Sequence, residues 1–122
     1  MMNHNEVARG ITELHDSIVG TIIVKKGNLL GAYARPKVPI PQMERFSDMF
    51  LQAELMVSIP TKNADVFGEV KFVTVQHDIL HIFMFLLPDK TVLAFAVDSN
   101  IGYDYKKLTS TVLQFIEEKI ED

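Results

Sequence analysis

One predicted strand is apolar on both faces, and this feature restricts the possible fold more than any other. Between residues 79 and 87 the odd and the even positions are both apolar, and His81 is the only polar residue. Successive side chains of a strand point to opposite faces of the sheet, so this strand has to be covered on both sides. Residues 92–97 and 18–24 repeat the pattern. We therefore predict an α/β (α+β) fold in which helices cover both faces of an antiparallel sheet.

The other segments bring the prediction to five strands and three helices. Asn3 and Glu6 have the spacing of a capping box before the first helix. Lys26-Gly27-Asn28 is typical of a tight hairpin turn, because such turns need positive φ angles. Short links between the last three strands indicate an antiparallel meander. The predicted strands are 18–24, 29–34, 68–76, 79–87 and 91–97, and the predicted helices are 5–15, 41–57 and a last helix from Asn100 onward.

Composition limits the classes of function. The 122 residues fit a single domain, 1–122, and carry a net charge of -4, which disfavours nucleic-acid binding. The chain has no cysteine, so thiol chemistry and cysteine-ligated metals are excluded. The first ten residues lack the apolar core of a secretion signal, and no apolar run is long enough to span a membrane. We expect a soluble, cytoplasmic protein.

Few residues are arranged as catalysis would require. His77, Asp78 and His81 are close in sequence, but the first two fall at a predicted turn, so we interpret them as structural. The chain has no phosphate-binding loop of the GxxxxGK[ST] type. Its arginines, Arg9, Arg35 and Arg45, are interpreted as solvated charges, although an arginine can also act in trans on a phosphate bound to a partner. We predict no catalytic residue, no cofactor, no metal site and no enzymatic activity.

The second helix and the third strand have surfaces that a partner can use. The helix carries an apolar stripe of Met43, Phe46, Phe50, Ala53 and Val57. Met49 and Met56 lie beside this stripe and widen it, which fits a core or an adaptable interface equally well. The third strand mixes polar with apolar residues, as an edge strand does. Its charges, Glu69 and Lys71, either prevent pairing with another chain or flank a site of pairing.

Two short stretches resemble the roadblock family, the dynein light-chain-like relatives of the longin and profilin folds. The first is LHDSIVG at 14–20 leading to KGNL at 26–29, similar to the helix exit, strand-opening glycine and glycine hairpin of that family. The second is Asn100-Ile101-Gly102 followed by Leu108, similar to the Asn-Leu-Gly signature that begins the last helix of the family. The chain departs from the family pattern at 35–41 and 58–65, which indicates a divergent member.

The resemblance implies a sheet order of 2-1-5-4-3, with the second helix on one face and the first and last helices on the other. It also implies a non-catalytic homodimer or heterodimer that binds or regulates a small Ras-like GTPase, or acts as a scaffold in a signalling assembly. The alternative is a PAS-like module that senses a small molecule, for which Thr74 and His81 are the available polar groups. The predicted dimer and partner contacts are Met43, Phe46, Met49, Phe50, Ala53, Met56, Val57, Lys71, Phe72, Val73 and Val75.

Overall fold

The computed structural model describes residues 3–36, 38 and 43–120, with the backbone alone at 43–46. The predicted start of the second helix at Pro41 lies outside the described residues. Each predicted strand and helix is present, and one short helix, α3, is additional. The elements are α1 His4–Thr12, β1 Ile18–Lys25, β2 Asn28–Ala34, α2 Met43–Thr61, α3 Ala64–Phe67, β3 Val73–Gln76, β4 Leu80–Leu86, β5 Val92–Asp98 and α4 Tyr105–Lys119.

The five strands form one antiparallel sheet in the order β2-β1-β5-β4-β3, as predicted. The hairpin between β1 and β2 turns at Lys26 and Gly27, whose φ angles of 51° and 77° are both left-handed. In register, Ile22 lies opposite Ala32 of β2 and Ala94 of β5, which makes β1 a central strand. The N-terminus of α1 is capped as expected, because the Asn3 side chain accepts the N–H of Glu6 at 2.8 Å.

The sheet has a separate hydrophobic core on each face. On the face covered by α1 and α4, Phe83 and Phe85 of β4 stack on Phe95 of β5. On the other face, α2 packs over the alternate side chains of the same strands, among them Met84 and Ala94. Burial of each large side chain contributes about 2–3 kcal/mol. The two-sided pattern of β4 and β5 is thereby explained, and the predicted coverage of both faces is confirmed.

Several element boundaries differ from the prediction. The first helix ends at Thr12 and not at residue 15. The second helix continues past residue 57 to Thr61 and includes Pro60, and the Thr61 hydroxyl donates to the Val57 carbonyl at 2.7 Å across that turn. The predicted loop 58–65 thus contains the end of α2 and the start of α3. The third strand begins at Val73 instead of residue 68, since the chain first leaves α3 through Gly68, which has a φ of 90°.

The last helix begins at Tyr105 instead of Asn100. The Asp104 side chain caps it by accepting the N–H groups of Lys106 and Lys107. Residues 98–100 instead form a turn, in which the Asp98 carboxylate accepts the Asn100 N–H at 2.9 Å. Asn100 is therefore part of the exit from β5. Among the described residues, no helix combines the length and apolar composition needed to cross a lipid bilayer.

Candidate interaction surface

The outward side of α2 is unusually apolar for a solvent-exposed helix surface. Met56 is 40% exposed and Ile59 is 59% exposed, and Met49 is also exposed. Leu51 and Leu55 are exposed on the opposite flank of the helix. Large apolar side chains scattered singly on a surface are ordinary, but several on one helix form a patch of the kind that marks interaction sites.

The predicted stripe of α2 divides into core and surface residues. Phe50, Ala53 and Val57 are buried against β1, β4 and β5 and hold α2 on the sheet. Contact of these three residues with a partner therefore stays a prediction, and a molecule docking on α2 meets the outer side chains first. The side chains of Met43 and Phe46 lie outside the described residues. Only Met49 and Met56 of the predicted helix residues are described as exposed.

Leu51, Leu55 and Ile59 were absent from the predicted surface. They lie outside the apolar stripe and are not among the methionines that widen it. The sequence nevertheless contained evidence for this exposed apolar surface. An amphipathic helix is expected to be polar on the side opposite its core stripe, and α2 has apolar residues there.

The predicted strand residues lie on opposite faces of the sheet. Val73 and Val75 of β3 are half-buried on the α2 face. Phe72 packs on the other face, with its ring centroid 5.6 Å from that of Phe85. Lys71 is exposed and precedes the paired segment of β3. The predicted set therefore includes Phe72, which faces the α1–α4 core instead of the surface beside α2.

The two edge strands of the sheet differ in whether another element covers them. Edge strand β2 is covered by the first turn of α1, where the Asn5 side chain accepts the backbone N–H of Ala32 at 3.0 Å. A Cβ atom on Gly31 would lie only 2.6 Å from the His4 carbonyl carbon, so the helix and the strand are in close contact. At the other edge, β3 is paired with β4 alone within the described chain. The open edge of the sheet is thus β3.

A groove of about 300 Å³ joins the open edge to the methionine flank of α2. Met49 and Met56 form one wall, and Val75 and Ile82 belong to the strands on the other side. His77 lies at its end. This methionine groove is lined by side chains of both α2 and the strands at the open edge, and its lining is mainly apolar.

His77 and His81 each make a hydrogen bond within the fold, His77 through its backbone and His81 through its imidazole. His77 donates its backbone N–H to the Leu80 carbonyl at 2.9 Å, which closes the β3–β4 turn. His81 Nδ1 lies 2.6 Å from the Tyr103 hydroxyl, and burial raises the pKa of the Tyr103 phenol. Within the described ranges, no three His, Asp or Glu side chains are grouped to hold a metal ion. The sensor alternative requires polar groups that are enclosed and free to bind a ligand. Thr74 is exposed and His81 is paired with Tyr103, so neither residue meets this requirement.

Arg35 is a structural residue and not the solvated charge that was predicted. Its Nε donates to the Ile18 carbonyl at 2.7 Å, and its Nη2 donates to the carbonyls of Thr12 and His15 at 2.7 and 3.0 Å. The guanidinium thereby ties the C-terminus of α1 to the start of β1. Arg9 forms an exposed ion pair with Glu13 at 3.4 Å. The side chain of Arg45 lies outside the described residues.

The fold is similar to several solved structures of low sequence identity. A Roadblock/LC7 domain from Streptomyces avermitilis is 14% identical, with a TM-score of 0.74 over 96% of this chain and 94% of that one. MglB from Myxococcus xanthus is 15% identical, with a TM-score of 0.65 over 93% and 88%. MglC from Myxococcus xanthus is 12% identical, with a TM-score of 0.62 over 97% and 96%.

The comparisons by sequence were negative. No family model and no curated protein matches the chain. At identities this low, structural similarity establishes the fold alone. The resemblance drawn from the sequence is confirmed at that level, and we conclude that the chain has the Roadblock/LC7 fold.

Proposed function

We propose that the protein is a non-catalytic scaffold or regulator that self-associates through α2 and β3 and binds a small Ras-like GTPase or a signalling assembly. The observation that carries the proposal is the combination of exposed methionines on α2 with the open edge of β3. Fold similarity supports it, because the resemblance implies dimers formed by these two elements. MglB has been solved in a tetrameric arrangement, which is an example of self-association in this fold.

Strand pairing accounts for the asymmetry between the two edges. Unpaired N–H and C=O groups on an edge strand can bond to a second chain, so natural proteins cover or charge the edges that must stay free. Here α1 covers β2 while β3 stays open. Two copies of β3 related by a two-fold axis would pair antiparallel and form one continuous sheet. Lys71 would then flank the paired segment and not interrupt it.

Apolar burial would supply most of the favourable free energy. In such a dimer, the methionine groove of one copy adjoins the edge that receives the other copy. Burying apolar surface contributes about 25 cal/mol per Å², offset by the entropy cost of association. Methionine suits this surface, because its flexible side chain adapts to the shape of a partner.

Self-association is tested by sedimentation velocity over a wide range of protein concentration. We expect dimers for the wild type and monomers for Met56→Glu, since a carboxylate at the methionine groove would be buried without a partner. Leu29→Glu is the matched control, because Leu29 is 43% exposed, close to the 40% of Met56, but lies on the covered edge strand β2. It should remain dimeric. A wild type that stays monomeric at every concentration, or equal effects of both variants, would contradict the proposed interface.

GTPase binding needs a separate measurement. Purified small Ras-like GTPases, loaded with GDP or with a non-hydrolysable GTP analogue, can be titrated against the wild type and Met56→Glu. Selective binding of one nucleotide state would support a regulatory role. Dimers that bind none of the tested GTPases would leave a scaffold as the supported role. Native mass spectrometry of the purified protein tests the sensor alternative, which requires a small molecule retained by a monomer.

A further inference from the structure

A second concave region lies on the flank of α2 opposite the methionine groove. It has a volume of about 460 Å³ and separates α2 from the ends of β4 and β5. Leu55, which is 57% exposed, stands on its rim, and Val92, only 2% exposed, is among its deepest residues. We call it the leucine groove. Its lining includes Leu51, Leu55, Ser58, Thr61, Leu86 and Val92.

One end of the leucine groove is charged. It continues into a further concave region lined by Lys25, Lys26 and Asp89, and Glu54 and Lys90 line both regions. Two hairpin turns meet there, the β1–β2 turn and the β4–β5 turn. Three ammonium groups and two carboxylates share this end, so its formal charge is positive although the chain as a whole carries -4.

The two carboxylates are already engaged within the protein. Glu54 accepts the backbone N–H groups of Lys26 and Gly27, and this pins α2 to the hairpin. Asp89 accepts the backbone N–H of Thr91 at 3.1 Å and interacts electrostatically with Lys25.

The ammonium groups of Lys26 and Lys90 have no partner within the described part of the chain. Both lysines are exposed, and within the described part of the chain neither ammonium group makes a hydrogen bond or an ion pair. These two groups remain available to an external anion. They lie on the two turns that meet at the charged end of the leucine groove.

The backbone of Lys26 and of Lys90 adopts a conformation that is unfavourable for lysine. Their φ angles of 51° and 67° are left-handed, a conformation in which glycine or asparagine is more stable than a long side chain. Side chains held in such conformations are often found at functional sites. Lysine at these two positions adds positive charge to the end of the leucine groove.

We propose that the leucine groove binds a short segment of a partner protein, with apolar side chains between α2 and the strand ends and a carboxylate against Lys26 and Lys90. Charge complementarity selects an acidic segment, and the apolar lining selects leucine-like neighbours. A concave site fits a peptide better than a membrane, because a flat bilayer cannot reach Val92 below the rim. The site lies across α2 from the proposed dimer surface and does not depend on it.

The test starts from a phage-displayed library of random peptides, selected on the immobilised wild-type protein. Enriched peptides should combine Asp or Glu with Leu, Ile, Phe or Met. Synthetic copies are then titrated by fluorescence anisotropy against the wild type and the double variant Lys26→Asn/Lys90→Asn. We expect the double variant to bind these peptides about tenfold more weakly than the wild type does. We also expect the affinity of the wild type to fall as salt is added.

The asparagine variants separate binding from folding. Asparagine tolerates the left-handed conformation better than lysine, so the melting temperature should stay the same or rise while peptide affinity falls. Lys106→Gln/Lys107→Gln is the matched control, because it removes the same charge from exposed lysines on α4 and should bind as the wild type does. Leu55→Ser should also weaken binding, since it removes part of the apolar wall.

Several results would overturn the proposal. These are a selection that enriches no peptide, enriched peptides that are basic, and equal binding by the wild type and the asparagine variant. Cosedimentation with phosphatidylserine vesicles that is lost in the asparagine variant, without any peptide binding, would assign the surface to a membrane instead. The dimer test with Met56→Glu is independent of all these outcomes, so failure of one proposal is distinguishable from failure of the other.

Discussion

Replacing Arg35 with alanine should remove about 3 kcal/mol from the free energy of unfolding. The guanidinium donates three hydrogen bonds to main-chain carbonyls, those of Thr12, His15 and Ile18. A hydrogen bond to a charged group contributes about 1.5–3 kcal/mol, and about 1 kcal/mol each is appropriate for a half-buried group. The positive charge also sits at the C-terminal end of α1, where the helix dipole favours it.

Urea unfolding followed by circular dichroism measures this loss directly. A loss of about 3 kcal/mol is a large part of the 5–15 kcal/mol typical of a domain, and corresponds to roughly 10 °C in melting temperature. Arg35→Lys should recover only part of it, because an ammonium group lacks the planar fork that reaches several carbonyls together. Arg9→Ala is the control, with an exposed ion pair to Glu13 and a ring contact to Tyr33, and should cost about 1 kcal/mol or less.

Two results would refute the reasoning about Arg35. One is a loss for Arg35→Ala no larger than that for Arg9→Ala, which would mean that the three carbonyls are satisfied equally well by water. The other is full recovery of stability by Arg35→Lys, which would reduce the role of this residue to its charge.

Three further predictions concern single residues. Glu54→Gln should lower the free energy of unfolding in urea by about 1–2 kcal/mol, because an NH2 group, which cannot accept, replaces one of the two oxygens that accept the hairpin N–H groups. Gly31→Ala should cost about 1–3 kcal/mol by overpacking against α1, whereas Gly102→Ala, where a Cβ meets nothing within 4 Å, should cost almost nothing in the same assay. Burial raises the pKa of Tyr103 in the folded state above the unfolded value of about 10. The contribution of Tyr103 to stability is therefore intact below about pH 10 and is lost as the pH rises through the folded-state pKa. Tyr103→Phe should flatten this alkaline decrease in the free energy of unfolding.

Local sequence patterns were sufficient for the strands, their order along the chain and the coverage of both sheet faces. Apolar residues at every position of β4 except His81 predict two buried faces, because side chains alternate in any strand. The hairpin at Lys26 and Gly27 and the cap at Asn3 were likewise predictable, since each depends on residues close in sequence. The sheet order required the family resemblance, because pairing of β1 with β5 joins strands far apart in the chain.

Tertiary structure alone decided which side chains form a surface. Phe50 and Met56 were both predicted as partner contacts, but only the folded chain shows that Phe50 is buried against the sheet and Met56 is exposed. Arg35 reads as a solvated charge until the fold brings three carbonyls to it. The protected edge at β2 and the open edge at β3 depend on where α1 packs. Sequence periodicity records how an element is buried, whereas the identity of the neighbour that buries it is a property of the folded chain.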